Sequence, residues 1–137
     1  MVKRYALESG SEVVRAFHAF TVSCLVRIEV PAALWAKHRR GELDAREAEM
    51  LDAEFEADYV QATDATLQLT IIKVSDGLLA LAGSYPQLHG LRAYDSLQLA
   101  SATALRESSG ENVRFVTADH ALAAAAVGEG LDVLVPD

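Results

Sequence analysis

Apolar residues recur three to four apart in some stretches of this chain and bunch into short β-branched runs in others, a pattern that predicts helices alternating with strands. Ser11 with Val13, Val14, Ala16, Phe17 and Phe20 reads as a short amphipathic helix capped by the serine hydroxyl. Thr21 to Leu25 reads as a short strand. Helical spacing then runs through Ile28, Ala32, Leu34 and Trp35 to Arg40, where Gly41 is a natural stop, and Pro31 is accommodated if it lies near the first turn. Leu43-Asp44 opens a helix whose apolar residues Ala48, Met50, Leu51 and Phe55 alternate with acids and which ends near Tyr59 or Val60. Leu67 to Val74 is a strand by composition, followed by a short helix from Asp76 to Gly83 and a loop over Ser84-Tyr85-Pro86 and His89-Gly90. Ala93 to Glu107 is a helix rich in small residues. Val113 to Thr117 is a buried strand, Asp119 starts an Ala-rich helix to Val127, and Leu131 to Val135 is a final strand.

Strand and helix in alternation imply parallel strands joined by helical crossovers, so the expected fold class is α/β, an open parallel sheet with helices on both faces. The 137 residues fit one domain spanning residues 1–137, and an apolar content of 51% suffices for a core. Cys24 has no second cysteine to pair with, and no basic-then-apolar leader opens the chain, which points to a reducing cytoplasm. No apolar run approaches the roughly 20 residues of a membrane span.

A net charge of −8 argues against bulk electrostatic attraction to nucleic acid. Charge is unevenly spread, however: residues 1–40 hold seven Lys and Arg against three acids, while residues 41–76 hold two against ten. The basic third could face a polyanion, and the acidic segment is either a solvated helix face or a surface for a basic partner.

Acids just past strand ends matter most in an open parallel sheet, because ligands bind beyond the carboxyl ends of the strands. Glu29 follows the first strand, Asp95 falls in the first turn of the small-residue helix, and Asp119 follows the strand ending at Thr117. Gathered carboxylates repel unless a divalent cation lies between them, and Mg²⁺ or Mn²⁺ prefers such oxygen ligands and retains waters able to attack a phosphodiester. Each acid also has a plainer reading. Asp119 can be a helix N-cap, Asp95 can pair with Arg92, and Glu29 can be an ordinary first-turn acid. The hydroxyls of Ser96, Ser101 and Thr117 can serve a phosphate or metal-bound water, or bond to nearby backbone.

Other signatures are absent. No glycine-rich phosphate loop occurs, His18, His38, His89 and His120 lack zinc spacing and are expected at the surface, and no serine or cysteine stands in a nucleophile-elbow context. Trp35 is expected in the core or at an interface.

Four stretches taken together resemble the PIN domain, in particular the VapC-type ribonuclease toxins of toxin-antitoxin pairs: VKRYALESGSEVV, SCLVRIEVPAAL, LRAYDSLQLASA and FVTADHALAAAAVGEGL. The resemblance places the family's second, third and fourth acids on Glu29, Asp95 and Asp119, all as metal ligands, with Thr117 as a supporting catalytic hydroxyl. It implies Mg²⁺- or Mn²⁺-dependent endonucleolytic cleavage of RNA, a homodimer, and inhibition by a cognate antitoxin. Lys3, Arg4, Arg27, Lys37, Arg39 and Arg40 would guide RNA toward the acidic centre. The family's first strand, central in its sheet and carrying an aspartate in a sequence like L-D-x-S-A, would precede Val2, and here Met1 stands in its place. This chain therefore reads as an amino-terminally truncated PIN-like domain. A start codon assigned too far downstream is favoured over a truncated gene or an artificially shortened chain, because everything after Met1 retains the motif set. The alternative to an active nuclease is a degenerate PIN domain that keeps only a protein-binding or dimerising role.

Overall fold

A computed structural model describes residues 1, 5, 9–61 and 67–136. Helices and short strands alternate along the described chain, so the α/β class is observed. The helices are α1 (Ser11–Arg15), α2 (Val26–Arg39), α3 (Ala45–Tyr59), α4 (Asp76–His89), α5 (Ala93–Ser109) and α6 (His120–Gly128). The strands are β1 (Ala19–Ser23), β2 (Gln68–Ile72), β3 (Arg114–Val116) and β4 (Asp132–Leu134). Among the described residues the strands pair two by two, β1 with β2 and β3 with β4, where the sequence pattern suggests one open sheet. Periodicity identifies strands but not their neighbours, so pairing lies beyond its reach.

The chain forms two compact units, Met1–Ile71 and Ile72–Asp137. In the first, β1, α2, α3 and β2 enclose a core of Tyr5, Val22, Val26, Val30, Leu34, Phe55, Leu67 and Leu69. Val26, Val30 and Leu34 recur every four residues and so line one face of α2. Tyr5 meets Phe55 edge to face with ring centroids 5.5 Å apart, the arrangement that aromatic quadrupoles favour. Asp44 opens α3 with a complete capping box: its carboxylate accepts from Glu47 N at 2.7 Å, and Glu47 Oε2 accepts from Asp44 N at 2.7 Å. In the second unit β3 and β4 run parallel, with Arg114 opposite Asp132 and Val116 opposite Leu134, and α6 connects them. Ala125 and Ala126 are buried in α6, where small side chains let the helix lie close to its neighbours.

Several boundaries differ from expectation for identifiable reasons. Gly10, not Ser11, caps α1: it sits at φ 78°, a left-handed conformation that glycine adopts without strain. The helix stops at Arg15, and β1 begins at Ala19, two residues ahead of the expected Thr21. Pro31 lies inside α2, past its first turn, and its ring nitrogen cannot donate to the carbonyl of Arg27. Helix α4 runs through Pro86 to His89, where the sequence pattern suggests a loop after Gly83. Proline costs one backbone hydrogen bond there, but Leu78, Ala82 and Tyr85 are buried along the same helix and hold it together. Its end is set by Gly90 at φ 67°, a left-handed cap.

Candidate functional site

The three acids singled out by sequence all stand at helix amino termini. Glu29 lies in the first turn of α2, shortly after β1, and is half-buried. Asp95 lies in the first turn of α5. Asp119 is the N-cap residue of α6, three positions past the last residue of β3. At such ends free backbone N–H groups and the helix dipole favour negative charge, so each position suits a carboxylate whether or not it binds a ligand.

Local bonding is clearest around Asp119. Its Oδ1 accepts from Leu122 N at 2.9 Å, the N-cap bond, while its own N–H donates to Thr117 Oγ1 at 3.1 Å. Both residues thus hold the turn between β3 and α6. Asp119 is exposed, and its second carboxylate oxygen makes no hydrogen bond among the described residues. Ser101 Oγ donates to Leu97 O at 2.8 Å, the backbone alternative open to such a hydroxyl. Ser96, beside Asp95, differs: it is 1% exposed and its Oγ is buried without a hydrogen-bond partner among the described residues.

Glu29 belongs to the first compact unit, and Asp95 and Asp119 to the second. No group of three or more His, Cys, Asp or Glu side chains disposed to hold a metal ion occurs among the described residues. Carboxylate oxygens are the right donors for Mg²⁺ or Mn²⁺, but no coordination set follows from these residues.

The basic residues expected to guide RNA are mostly engaged with acids. Arg27 pairs with Glu56 and lies 5.0 Å over the Tyr59 ring; the Glu56 hydrogen bond and charge raise its already high pKa. Lys37 and Arg40 both contact Glu42, at 2.9 and 2.5 Å. Lys3 and Arg4 lie outside the described residues.

Two polar clusters have no counterpart in the sequence pattern. Asp58 is 1% exposed and accepts from Tyr5 OH at 2.9 Å and from Leu67 N at 3.0 Å. In the second unit, His89 Nε2 meets Glu129 Oε1 at 2.6 Å, and Tyr85 OH lies 3.4 Å from Glu129 Oε2 while donating to Thr103 Oγ1 at 3.2 Å. His89 and His38 are half-buried, where the sequence suggests surface positions, and His38 Nδ1 lies 3.0 Å from Leu43 O. Partners 40 and 53 positions apart leave no periodic trace, and an apolar flank around Asp58 and His89 is the only hint that spacing offers.

Neither a protein-family model nor a curated protein matches this chain. No helix among the described residues is long and apolar enough to cross a membrane.

Proposed function

We propose that this chain is a PIN-like, Mg²⁺- or Mn²⁺-dependent endoribonuclease, the toxin of a toxin-antitoxin pair, with Glu29, Asp95 and Asp119 as its acidic residues. The observation that carries this reading is the setting of Asp119: it stands past the carboxyl end of a strand in a parallel ladder, with one oxygen fixed by the helix and the other without a hydrogen bond among the described residues. Glu29 and Asp95 share the helix-start position. A divalent ion would supply activation of water and charge neutralisation at a phosphodiester. The chain's own contribution is positional. Leu122 N holds one oxygen of the Asp119 carboxylate while Thr117 Oγ1 accepts from the Asp119 backbone N–H and so fixes the turn beneath it, and hydrogen-bonded carboxylates of fixed geometry bind and orient better than mobile ones.

Asparagine can still cap a helix but lacks the charge, so Asp119→Asn separates the capping role from the metal-binding one. The test is cleavage of a mixed RNA substrate with Mn²⁺ and with chelator. Metal-dependent cleavage that falls at least about 100-fold in Asp95→Asn and in Asp119→Asn, with helical circular dichroism unchanged, is the expected result. Cleavage indifferent to both changes overturns the assignment. No cleavage, together with no Mn²⁺ binding by calorimetry, overturns it in favour of an inactive protein-binding module.

A further inference from the structure

Helices α2 and α3 are consecutive, joined by a short turn, and pack on one another within the first compact unit. Their inner faces supply the core, but on the outside they leave an open groove of about 430 Å³. Arg27, Pro31 and Trp35 line it from α2, four residues apart each time, and Glu49, Asp52, Ala53 and Glu56 line it from α3, so each wall is a single helix face. Ile28 and Met50, which follow Arg27 and Glu49 in sequence, are 68% and 62% exposed and add apolar surface to the same two helices.

The polar groups of this groove are unequal. Arg27 is bound to Glu56, which leaves the acids Glu49 and Asp52, and neither has an ion-pair partner among the described residues. At neutral pH the lining therefore carries one cation against three anions. Trp35 offers a half-buried indole perpendicular to the His38 ring, with centroids 5.5 Å apart. An aromatic side chain beside two carboxylates that have no ion-pair partner among the described residues is the recognition chemistry of a guanidinium or ammonium group. The same charges repel phosphate, so RNA does not fit here.

We infer that the α2/α3 groove binds a basic amphipathic segment of a partner protein, with an Arg or Lys seated against Trp35 between Glu49 and Asp52. Apolar side chains of the same segment would cover Pro31, Ala53, Ile28 and Met50. Aromatic and charged residues in a concave, partly apolar setting are where binding energy concentrates. The inference stands apart from the nuclease reading, since none of the groove residues is one of the proposed metal ligands.

Trp35 is the chain's single tryptophan, so its fluorescence reports on the groove alone. The probe is a synthetic amphipathic helical peptide alternating Arg and Leu at i, i+4 and i+7, with a matched peptide carrying Glu for Arg. The expected result is a saturable change in Trp35 emission with the Arg peptide, none with the Glu peptide, and affinity about tenfold weaker in the Glu49→Gln/Asp52→Asn double variant. Both substituted side chains lie off the core, and circular dichroism checks that folding is kept. Equal binding of the Arg peptide to the double variant overturns the inference, as does no emission change at millimolar peptide. Two further results overturn it by naming another occupant: self-association in sedimentation that the double variant abolishes, or stronger quenching by an RNA oligonucleotide than by the Arg peptide.

Discussion

His89 Nε2 and Glu129 Oε1 lie 2.6 Å apart, joining the last turn of α4 to the residue that ends α6. The same glutamate faces Tyr85 OH through Oε2 and accepts from Arg106 through its backbone carbonyl at 2.6 Å. Replacing Glu129 by Ala removes the side-chain partner of two half-buried or buried groups and keeps the carbonyl. The expected loss is about 2 kcal/mol, the usual size for stranding a polar group away from water, and Glu129→Gln should lose less. Urea unfolding of the variants measures it.

Tyr85 is 1% exposed, and burial, the largest influence on it, raises its hydroxyl above the ordinary value of 10.0. The hydrogen bond to Thr103 opposes the shift and the Glu129 charge adds to it. A phenol whose folded pKa is raised is favoured in its neutral form by folding. Its contribution is therefore complete below pH 10 and is lost as pH climbs through the folded value. Ultraviolet absorbance titration should show one of the four tyrosines ionising late, and Tyr85→Phe should remove that step and flatten the fall in stability above pH 10.

Asp58 and Tyr5 form the corresponding relationship in the first unit. Asp58→Ala removes the acceptor of both the Tyr5 hydroxyl and the Leu67 N–H, and the expected destabilisation is about 3 kcal/mol, against about 1 kcal/mol for Tyr5→Phe, which leaves the carboxylate its backbone partner. A double variant that loses no more than Asp58→Ala alone would show that the tyrosine acts through the carboxylate. Guanidinium melts decide this.

Glu42 titrates far below the ordinary carboxylate range, at about 2, because Arg40 and then Lys37 donate hydrogen bonds to it. With a folded pKa below the unfolded value of 4.5, its contribution is present above that pH and disappears as pH falls toward 2. Glu42 lies at the surface, so salt should weaken the effect. Carbon-detected NMR titration should find Glu42 the last glutamate to protonate at low ionic strength, with its midpoint rising in concentrated salt.

How much is legible in the sequence depends on the range of the interaction. The Asp44 cap three residues before Glu47, the core face of Val26, Val30 and Leu34, and the small-residue helix containing Asp95 are local patterns that spacing reveals. The helix-start settings of Glu29, Asp95 and Asp119 are legible for the same reason, and the capping role weighed for Asp119 is the one its Oδ1 performs. Pro86 misleads because its breaker signal is outweighed by buried neighbours on α4. Strand pairing, Tyr5 with Asp58, and His89 with Glu129 depend on chain reversals that spacing does not encode.

The turn between α2 and α3 occupies five residues, Arg40 to Asp44, and is fastened by Glu42 on one side and the capping box on the other. Contacts between these helices, such as those that place Leu34 and Phe55 in one core, close only a short loop of chain and so cost little configurational entropy. Segments of this kind form early in folding, before the strand pairing of β1 with β2 can repay the larger loop it must close. The helical hairpin is therefore expected to order first, giving the rest of the first unit a surface on which to condense.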